Sequence, residues 1–172
     1  DLVIERPSPA LSSWETEYKS LTGVNNQSLS GLDGEGVVLC VVDSGIDLSH
    51  PDLSDLVLKG WLDSVNGIDE PYDDEGHGTA MSGIIVADGG LKGISRGVEL
   101  LVAKAIDDEG QGDSSSVANS VDWCVQQGAD IISLSLGGGQ SFGSGFFTTD
   151  ELEQSVDEAL DSGVFVIASA GN

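Results

Sequence analysis

Two residues in this chain have the type and the setting to move a proton. Asp43 closes an unbroken apolar run, Val37-Val38-Leu39-Cys40-Val41-Val42, and is followed by Ser44-Gly45-Ile46-Asp47. His77 stands between two glycines in Asp74-Glu75-Gly76-His77-Gly78-Thr79. A carboxylate at the end of a buried strand is costly unless it is paired or hydrogen-bonded. Asp43 therefore requires a partner, and His77 is the best candidate. In such a pair the carboxylate accepts a proton from one imidazole nitrogen and fixes the tautomer, leaving the other nitrogen as a general base. Gly76 and Gly78 let neighbouring backbone approach the ring. The other histidine, His50, lies beside Pro51 in a turn-rich connection and reads as a structural residue or a metal ligand rather than a second base.

The elements that must position this pair follow from pattern. The apolar run before Asp43, rich in β-branched residues, reads as a strand buried on both faces of a parallel sheet. Open α/β sheets place their chemistry at the carboxyl ends of such strands. Val57–Leu62 reads as a short strand. From His77, small and apolar residues through Ala87 predict a tightly packed buried helix ended by Gly89-Gly90. Val98–Ile106 is a further buried strand, followed by the polar loop 107–113. A helix over Ser115–Gln127 carries Val117, Val121, Cys124 and Val125 at helical spacing and stops at Gly128. Ile131–Leu136 is a third long strand, closed by Gly137-Gly138-Gly139. A helix over Asp150–Asp161 is capped by Thr149 or Thr148, the latter with Glu151 forming a capping box, and Val164–Ala168 is the last strand. Alternating strands and helices predict a parallel sheet with right-handed crossovers. Residues 1–36 read as an arm packed on the domain, with a short helix near Ser12–Ser20. Residues 37–172 read as a single domain.

Composition narrows the partners. The chain has 172 residues, and 6 basic against 30 acidic residues give a net charge of −24. That field repels nucleic acid and anionic membrane surfaces, and the acidity itself is best read as solubility. No apolar run approaches the roughly 18 residues of a membrane span, and Asp1–Arg6 shows no signal-peptide pattern. No Asp-x-Asp-x-Asp-Gly calcium loop is present. Cys40 and Cys124, the two cysteines, read most simply as small core residues, and sequence alone leaves open whether they meet.

Four blocks together carry a family resemblance. Val41–Asp47 followed by His50-Pro51-Asp52-Leu53 resembles the aspartate motif of subtilisin-like serine proteases. Gly76-His77-Gly78-Thr79 with Ser82-Gly83 resembles their histidine motif. Ser133–Gly138 and Ala168-Ser169-Ala170-Gly171-Asn172 are similar to two further blocks, in the family's order. The resemblance covers about residues 30–172. It implies an α/β, three-layer subtilisin-like fold with a mostly parallel sheet flanked by helices, incomplete in this chain. It also implies peptide-bond hydrolysis through a serine acyl-enzyme. Asp43 would orient the histidine and His77 would be the base. Asn172 would be the oxyanion-hole amide, a type of donor that contributes about 3–4 kcal/mol to the transition state. Asp108, Glu109, Gly110, Gln111 and Gly112 would form one edge of the peptide groove, and Ser135, Leu136, Gly137 and Gly138 the other, holding substrate as an added strand.

Three departures qualify the resemblance. The family's Gly-Thr-Ser nucleophile block is absent, and none of Ser44, Ser82, Ser133, Ser135 and Ser169 lies in one. The catalytic serine is therefore expected on a segment beyond residue 172, a C-terminal partner segment of the same protease. Ala80-Met81 replaces the family's usual second histidine and aliphatic residue, so altered packing is expected. The segment 87–93 is shorter than the family's calcium loop, so no cofactor is expected and structural calcium at Asp52 is doubtful. Asn172 at the end of the chain raises self-cleavage of a longer protease, because an asparagine side chain can attack its own carbonyl. The family also implies a secreted or extracytoplasmic setting, and a propeptide or inhibitor as further partners. The rival readings are a catalytically inactive peptide-binding fragment and a nucleotide-binding domain built on Gly34-Glu35-Gly36. The second fails because those glycines precede their strand, whereas a phosphate loop must follow one.

Overall fold

A computed structural model describes residues 31–136 and 150–170. Five strands form one sheet in the order β2-β3-β1-β4-β5. The strands are β1 (Val38–Asp43), β2 (Gly60–Asp63), β3 (Glu99–Lys104), β4 (Ile131–Leu134) and β5 (Phe165–Ala168). Every neighbouring pair is parallel. Three helices connect them: α1 (His77–Val86), α2 (Ser114–Gln126) and α3 (Asp150–Asp161). The arm helix expected near 12–20, the caps at Thr148 and Thr149 and the glycines after β4 lie outside the described residues.

β1 is the centre because its residues can be buried from both sides. Cys40 and Val42 join Leu101 and Ala103 of β3 in one cluster with Val117, Val121 and Cys124 of α2 and Leu152 and Ala159 of α3. Val41 joins Leu100 and Val102 in a second cluster with Val86 of α1, and Met81 and Ile85 pack against it. Alternate strand residues point to opposite faces, so α2 and α3 cover one face and α1 the other. The result is three layers. α2 starts where the Asp113 side chain accepts the Ser116 amide at 2.8 Å. It stops before Gly128, whose φ of 78° lets the chain turn out of the helix. The acids Asp150, Glu151 and Glu153 at the start of α3 complement its dipole.

The structure corrects the sequence reading in three places. β2 begins at Gly60 rather than Val57, whose side chain is exposed. α1 is not buried all round: Gly78, Ser82 and Val86 are covered, whereas Ala80 and Ile84 face outward. An uncharged helix normally needs cover on more than one side, and no second layer lies over that face among the described residues. The cysteines are not merely core residues, because Cys40 of β1 and Cys124 of α2 form a disulfide with Cα atoms 5.9 Å apart.

That bond closes a long loop, the two cysteines standing 84 positions apart in the chain. In the chain-entropy account such a crosslink stabilises by about 4–5 kcal/mol. Replacing both cysteines with alanine is expected to lower the urea midpoint by a corresponding amount without changing the far-ultraviolet circular dichroism of the folded protein. An unchanged midpoint would show that the pair does not crosslink the native state.

Candidate active site

The sheet register brings three chain ends to one level. Asp43, the last residue of β1, lies opposite Lys104, the last of β3, which in turn lies opposite Asp63 at the end of β2. β3 and β4 leave β1 on opposite sides. Asp43 thus sits at the crevice where the connections diverge, the usual ligand position of an open parallel sheet.

Local backbone chemistry sets how the chain runs from β1 to α1. Gly45 has a φ of 125°, and a Cβ there would collide with the carbonyl oxygen of Tyr72. The Ile46 amide donates to that same oxygen at 3.1 Å, which clips the segment before α1 onto the end of β1. Gly78 is required for a related reason, because a Cβ on it would collide with the Gly45 carbonyl. The first turn of α1 is thereby pressed against the chain that carries Asp43.

α1 has no side-chain cap at Gly76, so its first amides need other acceptors. Each finds one. His77 N–H donates to Glu75 Oε2 at 2.8 Å. Gly78 N–H donates to Ser44 Oγ at 2.8 Å. Thr79 N–H donates to Asp73 Oδ2 at 2.9 Å, and the Thr79 hydroxyl donates to the same oxygen at 2.5 Å. Asp73 Oδ1 also accepts from Gly76 N–H at 2.8 Å and from the Ser44 hydroxyl at 2.9 Å. Ser44 is fully buried and committed in both directions, so it is a strut and not a nucleophile.

With the helix so held, His77 Nδ1 lies 2.9 and 3.0 Å from the two oxygens of Asp43. The Asp43 side chain is 1% exposed and that of His77 is 45% exposed. Asp43 Oδ1 also accepts the Ser44 amide at 2.7 Å. As a carboxylate Asp43 only accepts, so Nδ1 carries the proton and Nε2 is left with a lone pair. No described residue bonds Nε2. Burial pushes the Asp43 carboxyl above its ordinary 3.8, with the Asp73 charge adding to it, against the hydrogen bonds from His77 and Ser44. Asp73 behaves oppositely: burial would raise it, but the donors Thr79, Gly76 and Ser44 outweigh that and hold it below 3.8.

The expected groove edges rise from either side of Asp43. The 107–112 turn follows β3, whose continuation is tied to β1 by Ala105 N–H donating to Asp43 O at 2.8 Å. Asp107 organises the turn, its Oδ1 accepting Glu109 N–H at 3.0 Å and Gln111 N–H at 2.8 Å. Gly110 has a φ of 72°, and a Cβ on Gly112 would sit 2.6 Å from Ala105 O. Both glycines are thus required by the chain's own turn. Asp108 and Glu109 are exposed on it. Ser135 and Leu136 follow β4, and Leu136 O accepts the Ser169 hydroxyl at 2.6 Å. Gly137, Gly138 and Asn172 lie outside the described residues.

Sequence reasoning missed Asp73, Asp107 and Lys104. A weak signal existed for the first two, since each acid stands two to three positions before amides that a turn leaves unpaired. Asp52, matched in sequence to a calcium ligand, uses Oδ1 to accept Gly90 N–H at 2.5 Å and Leu91 N–H at 3.3 Å. Nearby Asp88 is engaged by Lys92 at 2.7 Å and Arg96 at 2.6 Å. Both acids thus spend a carboxylate oxygen on bonds within the chain. His50 Nδ1 accepts the Asp52 amide at 3.2 Å, in keeping with a structural role.

The subtilase family model matches residues 34–172, including both members of the pair. The chain belongs to the subtilase family. Thermitase of Thermoactinomyces vulgaris is 37% identical over 144 residues, 81% of this chain and 49% of that protein. Serine protease AprX of Bacillus subtilis is 35% identical over 183 aligned residues, 98% of this chain and 40% of that relative. The crystal structure of a cold adapted subtilisin-like serine proteinase superposes with a TM-score of 0.69 at 30% identity, covering 83% of this chain and 49% of that one. This subtilase chain spans about half or less of the length of those relatives.

The two shifted carboxyls give opposite pH dependences. Asp73, held low, stabilises the fold above pH 3.8, and that contribution is lost as pH falls through its native pKa. Asp43, held high, contributes in the reverse sense, favouring the fold below 3.8 and losing that contribution as pH rises through its native pKa. Asp73→Asn should therefore lower the urea midpoint near neutrality, with the gap to wild type closing as pH falls below 3.8. Asp43→Asn should be at least as stable as wild type near neutrality. A midpoint gap for Asp73→Asn that is equal at both pH values would refute this assignment.

Proposed function

We propose that this chain is the N-terminal part of the catalytic domain of a serine endopeptidase. The observation that carries the reading is the buried Asp43 carboxylate bonded to Nδ1 of a half-exposed His77, which leaves Nε2 open to solvent. Such a pair takes a proton from a serine hydroxyl at Nε2 as the oxygen attacks the scissile carbonyl. It then returns that proton to the leaving amine, and water resolves the acyl-enzyme by the same route. Asp43 holds the ring and stabilises the imidazolium that forms. An inactive peptide-binding fragment is the weaker reading, because a groove gains nothing from a carboxylate held buried above its ordinary pKa.

The serine is assigned to a segment following residue 172, and the open part of the α1 layer supports its place. Val166 of β5 packs into the α2–α3 side, whereas Phe165 and Ile167, on the opposite face, are 72% and 59% exposed. Ala80 and Ile84 of α1 are exposed as well. A further element laid beside α1 over β4 and β5 would bury these side chains and stand next to His77. Asn172 would supply the oxyanion donor, and the turns 107–112 and 135–138 the edges for an extended peptide. Asp52 serves as a turn acceptor in this reading, and calcium is not required there. A secreted setting fits the disulfide, which persists in oxidising compartments; one relative is the major intracellular serine protease of Bacillus subtilis.

A fluorophosphonate probe tests the reading on the full-length protein. One serine outside residues 1–172 should be labelled, and His77→Ala should abolish labelling. Asp43→Asn should retain the fold and lower kcat by on the order of 10⁴. No labelling of the intact wild-type protein, or a label on a serine within 1–172, would overturn it.

A further inference from the structure

Lys104 is the largest fully buried side chain among the described residues, yet neither the fold nor the proton-transfer pair accounts for it. It stands opposite Asp43 in the sheet register, where an ammonium and a carboxylate would ordinarily pair. They do not. Nζ instead donates to Ser44 O at 2.7 Å, to Ile106 O at 2.7 Å and to Asp74 Oδ1 at 2.6 Å. An ammonium has three protons, and these three acceptors take them all. The ring of Tyr72 adds a cation–π contact with its centroid 5.0 Å from Nζ. A buried charge with complete hydrogen bonding is one that a fold can tolerate.

The partners define the role. Ser44 is the strut between Asp43 and the first turn of α1. Asp74 is flanked by Asp73 and Glu75, the acids that accept the α1 amides. Tyr72 offers the carbonyl that clips this segment to Ile46, and its hydroxyl donates to Asp63 at 2.9 Å. One ammonium thus ties the end of β1, the end of β3 and the 72–76 segment that delivers His77, while leaving both Asp43 oxygens to the histidine and the Ser44 amide.

We propose that Lys104 is a positioning residue for the Asp43–His77 pair, fixing the 72–76 segment against Ser44 through its bonds to Ser44 O and Asp74. The proposal rests on the peptidase reading for its kinetic consequence but not for its structural one. Asp107 organises the 107–111 turn, and Lys104 touches only its base through Ile106 O, so substrate binding should be affected far less than catalysis.

The test uses the full-length protein with Lys104→Met, which keeps the stem and removes the charge. Peptide hydrolysis should show kcat reduced about ten- to a hundredfold, as a misplacement near one ångström produces, with KM within about threefold. Hydrogen exchange followed by mass spectrometry should show faster exchange across 72–79 but not across 131–134. Asp74→Ala, a change at the surface end of the network, should give a smaller loss of the same kind, and it decides the matter if Lys104→Met does not fold. Wild-type kcat and wild-type protection of 72–79 in a folded variant would overturn the proposal, as would a raised KM with unchanged kcat. Should the wild-type protein hydrolyse no peptide, the peptidase reading fails, and exchange at 72–79 alone then decides whether Lys104 holds the segment.

Discussion

A carboxylate kept charged at the end of a fully buried strand is the constraint around which this structure is arranged. β1 can be central only because its residues are apolar on both faces, and centrality is what strips water from Asp43. The anion must then be met by donors, and the structure supplies the Ser44 amide and the ring of His77. The ring can reach only if α1 starts hard against β1. That approach in turn explains Gly78, the left-handed Gly45 and the acids that receive the uncapped amides of α1. Lys104 belongs to the same set of consequences, as the cation that holds the histidine segment without competing for Asp43.

Much of this was legible in the sequence because burial on both faces of a parallel strand writes a plain signal. The runs ending at Asp43, Lys104 and Leu134 were readable as strands to within a few residues, since each is apolar and β-branched between turn residues. The pairing of Asp43 with His77 followed from the cost of an isolated buried carboxylate. The same both-face burial concealed Lys104. In a run such as Leu101-Val102-Ala103-Lys104-Ala105-Ile106 no alternation tells which way a side chain points, so a buried lysine looks like the mere end of a strand. The disulfide was hidden for a similar reason, because pairing depends on how α2 packs over β1 and not on the spacing of the cysteines.

The reading of α1 as buried throughout went wrong instructively. Its composition is that of a helix packed on all sides, and the sequence states that need correctly. Within the described residues only one side is met. The exposed Ile84, Phe165 and Ile167 lie on the same layer of the sheet, so composition and burial disagree on that one layer among the described residues.

The most direct test of the central claim is the tautomer of His77. The chain has only two histidines, so ¹⁵N labelling at histidine with a His50→Gln control assigns both unambiguously. Neutral His77 should carry its proton on Nδ1, with a downfield, slowly exchanging Nδ1 proton that disappears in Asp43→Ala. A neutral His77 that is protonated on Nε2, or that averages between tautomers as a free imidazole does, would contradict it.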